Sequence, residues 1–232
     1  MNTFSSIRLN QVRAAPSNMM IRIWFSNAIM TGLTPVVAWL AIISGVQNLG
    51  SRSGMCMFNL VLIVLISFWV DSRRDKFSTF LTSAIGVVLI VLVGTTLSMF
   101  FSIQGIATVF GIVSVMFALN ALMSLFLGWN PGSRWLILLM AISGSILAVI
   151  INSLLGSYFS VWIMSILAVL VWPLAVGYKC DVLSELSRKL FAAEFSTMSR
   201  CMVLGSVITY LSALSLFCQA VMFLLEALFS SV

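Results

Sequence analysis

Long apolar runs, interrupted by short polar or basic segments, set the pattern of this chain. Seven runs stand out: Ile23–Ile43, Met55–Val70, Phe77–Phe100, Ile106–Leu127, Trp135–Leu155, Phe159–Tyr178 and Met202–Phe229. A hydrocarbon core about 30 Å thick needs roughly 20 residues at a 1.5 Å rise. Every run but the second meets that length, and the second is accommodated by a change of tilt or by snorkelling of its flanks. Lipid offers backbone amides no partners, so runs of this length are helical. Alternating segments of about ten residues, the mark of a membrane β-barrel, are absent. The pattern therefore predicts an all-α integral membrane protein. It has a tail over residues 1–22 and one seven-transmembrane-helix bundle over residues 23–229.

Composition agrees with this reading. Hydrophobic residues make up 61% of the 232 positions and charged residues 8%, against about 45–50% and about 25% in soluble domains. A soluble fold of this length could not keep so much apolar surface from water. The net charge of +6 is spread over loops and forms no phosphate-binding face, which excludes nucleic acid as a partner.

The loop charges predict orientation. Arg8, Arg13 and Arg22 precede span one, and Arg73, Arg74 and Lys76 follow span two. Arg134 follows span four, and Lys179, Arg188, Lys189 and Arg200 follow span six. Only Arg52 falls on the opposite side. By the positive-inside rule the N-terminus is cytoplasmic and the C-terminus outside. The outer hairpin loops at Ser102–Gly105 and Gly156–Ser157 are short and uncharged. The first 22 residues lack the apolar core and small-residue cleavage site of a secretory signal, so span one is expected to serve as the uncleaved insertion signal.

Candidate chemistry is sparse. The chain has no histidine, which excludes His-ligated zinc, a Ser-His-Asp triad and a Cys-His pair. Cys56, Cys180, Cys201 and Cys218 show no paired spacing and read as small apolar residues rather than disulfides. No catalytic, cofactor-binding or metal site is expected, and the chain reads as non-enzymatic. Pro35 and Pro173 interrupt the hydrogen-bond ladders of spans one and six. Asn130-Pro131-Gly132 forms a turn after span four. Ala141 with Ser145 and Gly144 with Ala148 suit close packing of span five. Trp24, Trp69, Trp129 and Trp135 lie towards helix ends, where interfacial anchoring explains them.

Span seven carries the clearest signal. Gly205, Thr209, Ser212, Ser215, Gln219 and Glu226 fall on one face at 100° per residue. Such a stripe either hydrogen-bonds to neighbouring helices or lines a pathway, with Thr209, Ser212, Ser215 and Gln219 as the lining; either way this helix is expected to be central. Asn120 and Ser124 form a smaller polar pair in span four, suited to a bond across helices. Asp71 and Lys179 end spans two and six at one membrane depth, where they could form an ion pair that latches the cytoplasmic mouth.

These residues resemble the Bax inhibitor (transmembrane Bax inhibitor motif, YccA-like) family, in its divergent bacterial branch. The matching segments are Phe68-Trp69-Val70-Asp71-Ser72-Arg73-Arg74 ending span two and Tyr178 ending span six. In span seven the match is Gly205-Ser206-Val207-Ile208-Thr209-Tyr210-Leu211-Ser212, after an extended sixth-to-seventh loop. The compact loops and strong charge bias suit a bacterial inner membrane, and the resemblance implies a role in calcium leak, or in modulating a membrane protease or other membrane complex. Calcium, protons and a membrane protein thereby become candidate partners beside the lipid bilayer. The family's two aspartates, one after the span-six tyrosine and one in the span-seven motif, fall here on Lys179 and Ser212. A shared carboxylate pair would sense pH, and this chain lacks it. Relatives can carry an arginine where Asp71 stands, so the latch would have its charges exchanged. Two readings follow: a regulatory or calcium-leak protein without the di-aspartate sensor, or a non-conducting interaction protein.

Overall fold

A computed structural model describes residues 3–45, 52–72, 78–128, 134–191 and 195–229. Within these, the side chains of 3–19, 52–53, 71, 134, 180–191, 195–201, 224–225 and 227–229 lie outside the description. Among the described residues every regular element is an α-helix. They are α1 Thr3–Ile43, α2 Arg52–Ser72, α3 Thr79–Phe100, α4 Ile103–Leu127, α5 Arg134–Leu155, α6 Phe159–Phe191 and α7 Phe195–Phe229. Six carry segments long and apolar enough to cross a membrane, and α2 adds the shorter apolar segment Gly54–Val70. The chain is an all-α integral membrane protein, with α2 the short member that its sequence suggests.

Three boundaries differ from the sequence reading. Helix α1 already begins at Thr3, inside the expected tail. Helix α6 runs on to Phe191 and α7 begins at Phe195, so most of the expected sixth-to-seventh loop is helical. Its charges made that stretch look like a loop, but residues 181–191 contain no Gly or Pro. They also place Glu185 four residues before Lys189, a spacing that favours helix. The Asn130-Pro131-Gly132 turn lies outside the described residues. Helix α4 is capped before it by Gly128, in the left-handed conformation at φ 64°. At the other end of the bundle Ser102 caps α4, accepting a bond from the Gly105 N–H at 3.2 Å.

Helix α1 forms the centre, and α7 packs beside it with one face left exposed. Helix α1 packs against α3, α4, α6 and α7, and α7 packs against α1, α3 and α6. Helices α2 and α5 are peripheral, the first resting mainly on α3 and the second on α4 and α6. Lipid tails are as apolar as leucine, so hydrophobicity gives helices little reason to associate; close fit and polar bonds must do so. Glycine provides the fit. A Cβ on Gly94 would lie 2.9 Å from Val37 Cγ1 and 3.0 Å from the Thr34 carbonyl oxygen, which brings α3 against the α1 backbone. A Cβ on Gly144 would lie 2.5 Å from Met116 Sδ and 3.0 Å from Val169 Cβ, so α5 seats between α4 and α6 as its small residues suggest.

Polar bonds provide the rest. Asn59 on α2 donates to Thr95 and Thr96 on α3 at 3.1 and 3.2 Å. Ser114 on α4 donates to the Ala28 carbonyl of α1 at 2.7 Å. Asn120 on α4 donates to Ser143 on α5 at 3.1 Å, the cross-helix bond its sequence position suggests. Asn152 on α5 donates to Ser165 on α6 at 2.7 Å. Each such bond is typically worth about 0.6 kcal/mol in a membrane protein, so together they choose partners more than they supply bulk stability. Between α4, α6 and α7 the tie is aromatic. Trp172 meets Phe110 edge-on at 5.8 Å and Phe217 at 5.6 Å.

The tryptophans divide. Trp135 is 80% exposed and Trp69 partly so, as interfacial anchors would be, while Trp24 is fully buried. Its place near the end of span one suggested an anchor, but its face of α1 turns into the bundle, where the indole packs as core. Trp129 lies outside the described residues.

Replacing Gly94 with Ala is expected to lower the thermal midpoint in detergent, because overpacking of this kind costs about 1–3 kcal/mol. Gly111→Ala, whose new Cβ would meet nothing within 4 Å, is expected to leave it unchanged or slightly higher. Equal midpoints for the two variants would contradict the close α1–α3 contact.

Candidate functional site: a groove between α2, α6 and α7

The site follows from how α7 is turned. Its first membrane half presents Ser206 and Tyr210 to α1. The Ser206 hydroxyl donates to the Ile23 carbonyl at 3.3 Å, and the Tyr210 and Thr34 hydroxyls bond to each other at 2.9 Å. Thr34 also donates to the Met30 carbonyl of its own helix, so the pair is anchored on the α1 side. Tyr210 is fully buried. At 100° per residue Ser212, Ser215 and Gln219 lie about 140–200° around the helix from Tyr210. Turning Tyr210 inward therefore turns these three outward.

Outward here means into a groove of about 850 Å³. Helix α7 forms one wall, with Ser212, Ser215 and Gln219 along it. Helix α6 forms the second with Val171, Leu174, Tyr178 and Lys179, and α2 reaches the edge with Ser67 and Val70. The Lys179 ammonium lies 5.3 Å from the centre of the Tyr178 ring, close enough for a cation–π contact. Val70 is only 1% exposed, so the end of α2 is tucked against the bundle, while Leu174 is 65% exposed and looks out sideways. Among the described residues the groove thus combines a mostly apolar lining, the polar groups of Ser212, Ser215 and Gln219 on α7, and one cation, Lys179.

The structure brings together five of the eight residues singled out from the sequence: Tyr178, Lys179, Ser212, Ser215 and Gln219. Thr209 and Tyr210 lie elsewhere, fully buried, with Thr209 donating to the Gly205 carbonyl at 2.8 Å. Thr209 sits at the margin of the polar stripe, on the side that meets the core. The Asp71 side chain lies outside the described residues, and the proposed latch with it. Glu226 is exposed. Cys56 and Cys218 are free thiols, and no group of three His, Cys, Asp or Glu comes together among the described residues.

Sequence reasoning missed the polar face of α1, where Asn27, Thr31 and Thr34 are all fully buried. Their spacing of four and three residues is the signal that would have found them. It also missed the α2 and α6 walls, whose apolar residues look like any lipid-facing surface until their neighbours are known.

Two proteins of Escherichia coli strain K12 are similar to most of the chain. The uncharacterized protein YbhM is 25% identical over 188 residues, which is 81% of this chain and 79% of YbhM. The inner membrane protein YbhL is 24% identical over 216 residues, 89% of this chain and 91% of YbhL. No family model matches the chain, and no solved structure does.

Thr34→Val and Tyr210→Phe each remove one partner of the hydroxyl pair. In a double-mutant cycle of detergent unfolding they are expected to be coupled by about 0.6 kcal/mol, and by no more than about 1.7. Strict additivity would show that the pair does not hold α7 in its orientation.

Proposed function

We propose that this chain is a Bax inhibitor-type protein of the bacterial inner membrane that acts through the groove between α2, α6 and α7 in a regulatory role. The observation that carries this reading is the meeting of Tyr178, Lys179, Ser212, Ser215 and Gln219 around one cavity. These are the family-like end of span six and the polar face of span seven, far apart in sequence and joined only by the fold. Similarity to the inner membrane protein YbhL over nine-tenths of both chains supports the location.

The chemistry of the groove argues against gathering calcium. The resemblance puts the family's aspartates at Lys179 and Ser212, so a cation and a hydroxyl stand where two carboxylates would bind a divalent ion. A fixed ammonium repels such an ion, and hard cations need several oxygen ligands. A regulatory role, exerted by binding another membrane component, makes no such demand. The modulation of a membrane protease or another complex is the form it would take.

A leak-type role is the second reading, favoured by the open polar edge of α7. Calcium flux into proteoliposomes separates the two, measured between about pH 5 and about pH 8, the range in which a coupled carboxylate pair titrates. Wild type is expected to be silent, and the Lys179→Asp, Ser212→Asp double variant to leak with a dependence on pH. A wild type that itself passes calcium would overturn the regulatory reading and make Ser215 and Gln219 the residues to test next.

A further inference from the structure

The groove is open along its side rather than only at its end. Leu174, Tyr178 and Phe223 line it and are largely exposed, so in a bilayer their outer surfaces meet lipid. Helix α2, on the third side, packs mainly on α3 and makes only a small contact with α7. A molecule already in the membrane can therefore enter without crossing the bundle.

The lining restricts what that molecule is. Lys179 is the only charged side chain among the described residues around the groove, and it stands at the end of the α6 span. A lysine there reaches the headgroup level with its ammonium while its stem stays among apolar neighbours. Beyond it the lining is mostly apolar, with Val171 and Leu174 on α6 and Ile208, Leu211 and Leu216 on α7, and the Ser212 and Ser215 hydroxyls and the Gln219 amide stand among them. The occupant must therefore be anionic at one end and apolar along most of its length. A free inorganic anion satisfies only the first requirement. A partner helix would have to bring a single anion to Lys179, and nothing else in the lining calls for one.

We infer that the groove holds one anionic phospholipid of the surrounding bilayer. Its phosphate sits at Lys179, and an acyl chain lies along the apolar residues of α6 and α7. This rests on the proposal that the groove is the working site. It names the membrane component bound there, and it gives the protein a means of responding to the lipid composition of its leaflet.

The test is native mass spectrometry of the full-length protein, released from nanodiscs of equal parts phosphatidylglycerol and phosphatidylethanolamine. Wild type is expected to retain one phosphatidylglycerol per chain, with about fivefold preference over phosphatidylethanolamine, the ratio that one interfacial lysine supplies (~1 kcal/mol). Lys179→Gln is expected to lose that preference, Lys179→Arg to keep it, and Arg22→Gln, an exposed cation on α1 away from the groove, to leave it intact. Ser215→Trp, which places a bulky side chain in the groove, is expected to lower retention of both lipids. Equal retention of the two lipids by wild type would overturn the inference, as would an unchanged preference in Lys179→Gln or full retention in Ser215→Trp. Lipid retention is read without any flux, so a calcium leak with phosphatidylglycerol bound would sink the regulatory reading alone. A silent protein without bound lipid would sink this one alone.

Discussion

Two hydrogen bonds to α1, from Tyr210 to Thr34 and from Ser206 to the Ile23 carbonyl, set which way the last helix faces. In water a helix would be oriented by the need to bury its apolar side. In lipid that force is nearly absent between helices, and a helix can rotate about its axis at little cost until a specific contact stops it. For α7 the stops are Tyr210 and Ser206, both held against α1. With these two turned inward, the helix has no choice about what its opposite face carries. That face holds Ser212, Ser215 and Gln219, and it becomes one wall of the groove.

The same economy of means runs through the bundle. Asn59, Asn120 and Asn152 each reach from one helix to the next, and Gly94 and Gly144 admit backbone where a larger residue would hold helices apart. Every described helix meets a neighbour through at least one polar or aromatic contact. Helix α2 is short and peripheral, joined to α3 through Asn59. The groove lies where that peripheral helix meets the pair α6 and α7.

Most of the architecture was legible in the sequence because apolar length alone specifies a membrane helix. Less legible was whatever depended on neighbours. The stretch after Lys179 reads as a loop by its charges, although its residues favour the helix they form. Trp24 reads as an interfacial anchor by its position, yet the rotation of α1 buries it. The stripe on α7 was visible, and three of its four suggested lining residues do face the groove. Thr209 does not, because a stripe drawn at 100° per residue has margins, and only the contact with α1 shows on which side of a margin a residue falls. The apolar walls from α2 and α6 carried no signal at all, since nothing in one helix announces which other helix stands beside it.

The orientation of α7 supports the site, the proposed role and the lipid alike, so it is the claim to test most directly. In a background with Cys56, Cys180, Cys201 and Cys218 replaced, single cysteines would be placed at Ser206, Ala213, Ser215 and Gln219 and their reaction with N-ethylmaleimide timed in detergent. The expected result is fast modification at 215 and 219, with protection at 206 and 213, the two fully buried positions. Modification of 206 and 213 as fast as 215 and 219 would mean that α7 is not held by Tyr210, and the groove would lose its polar wall.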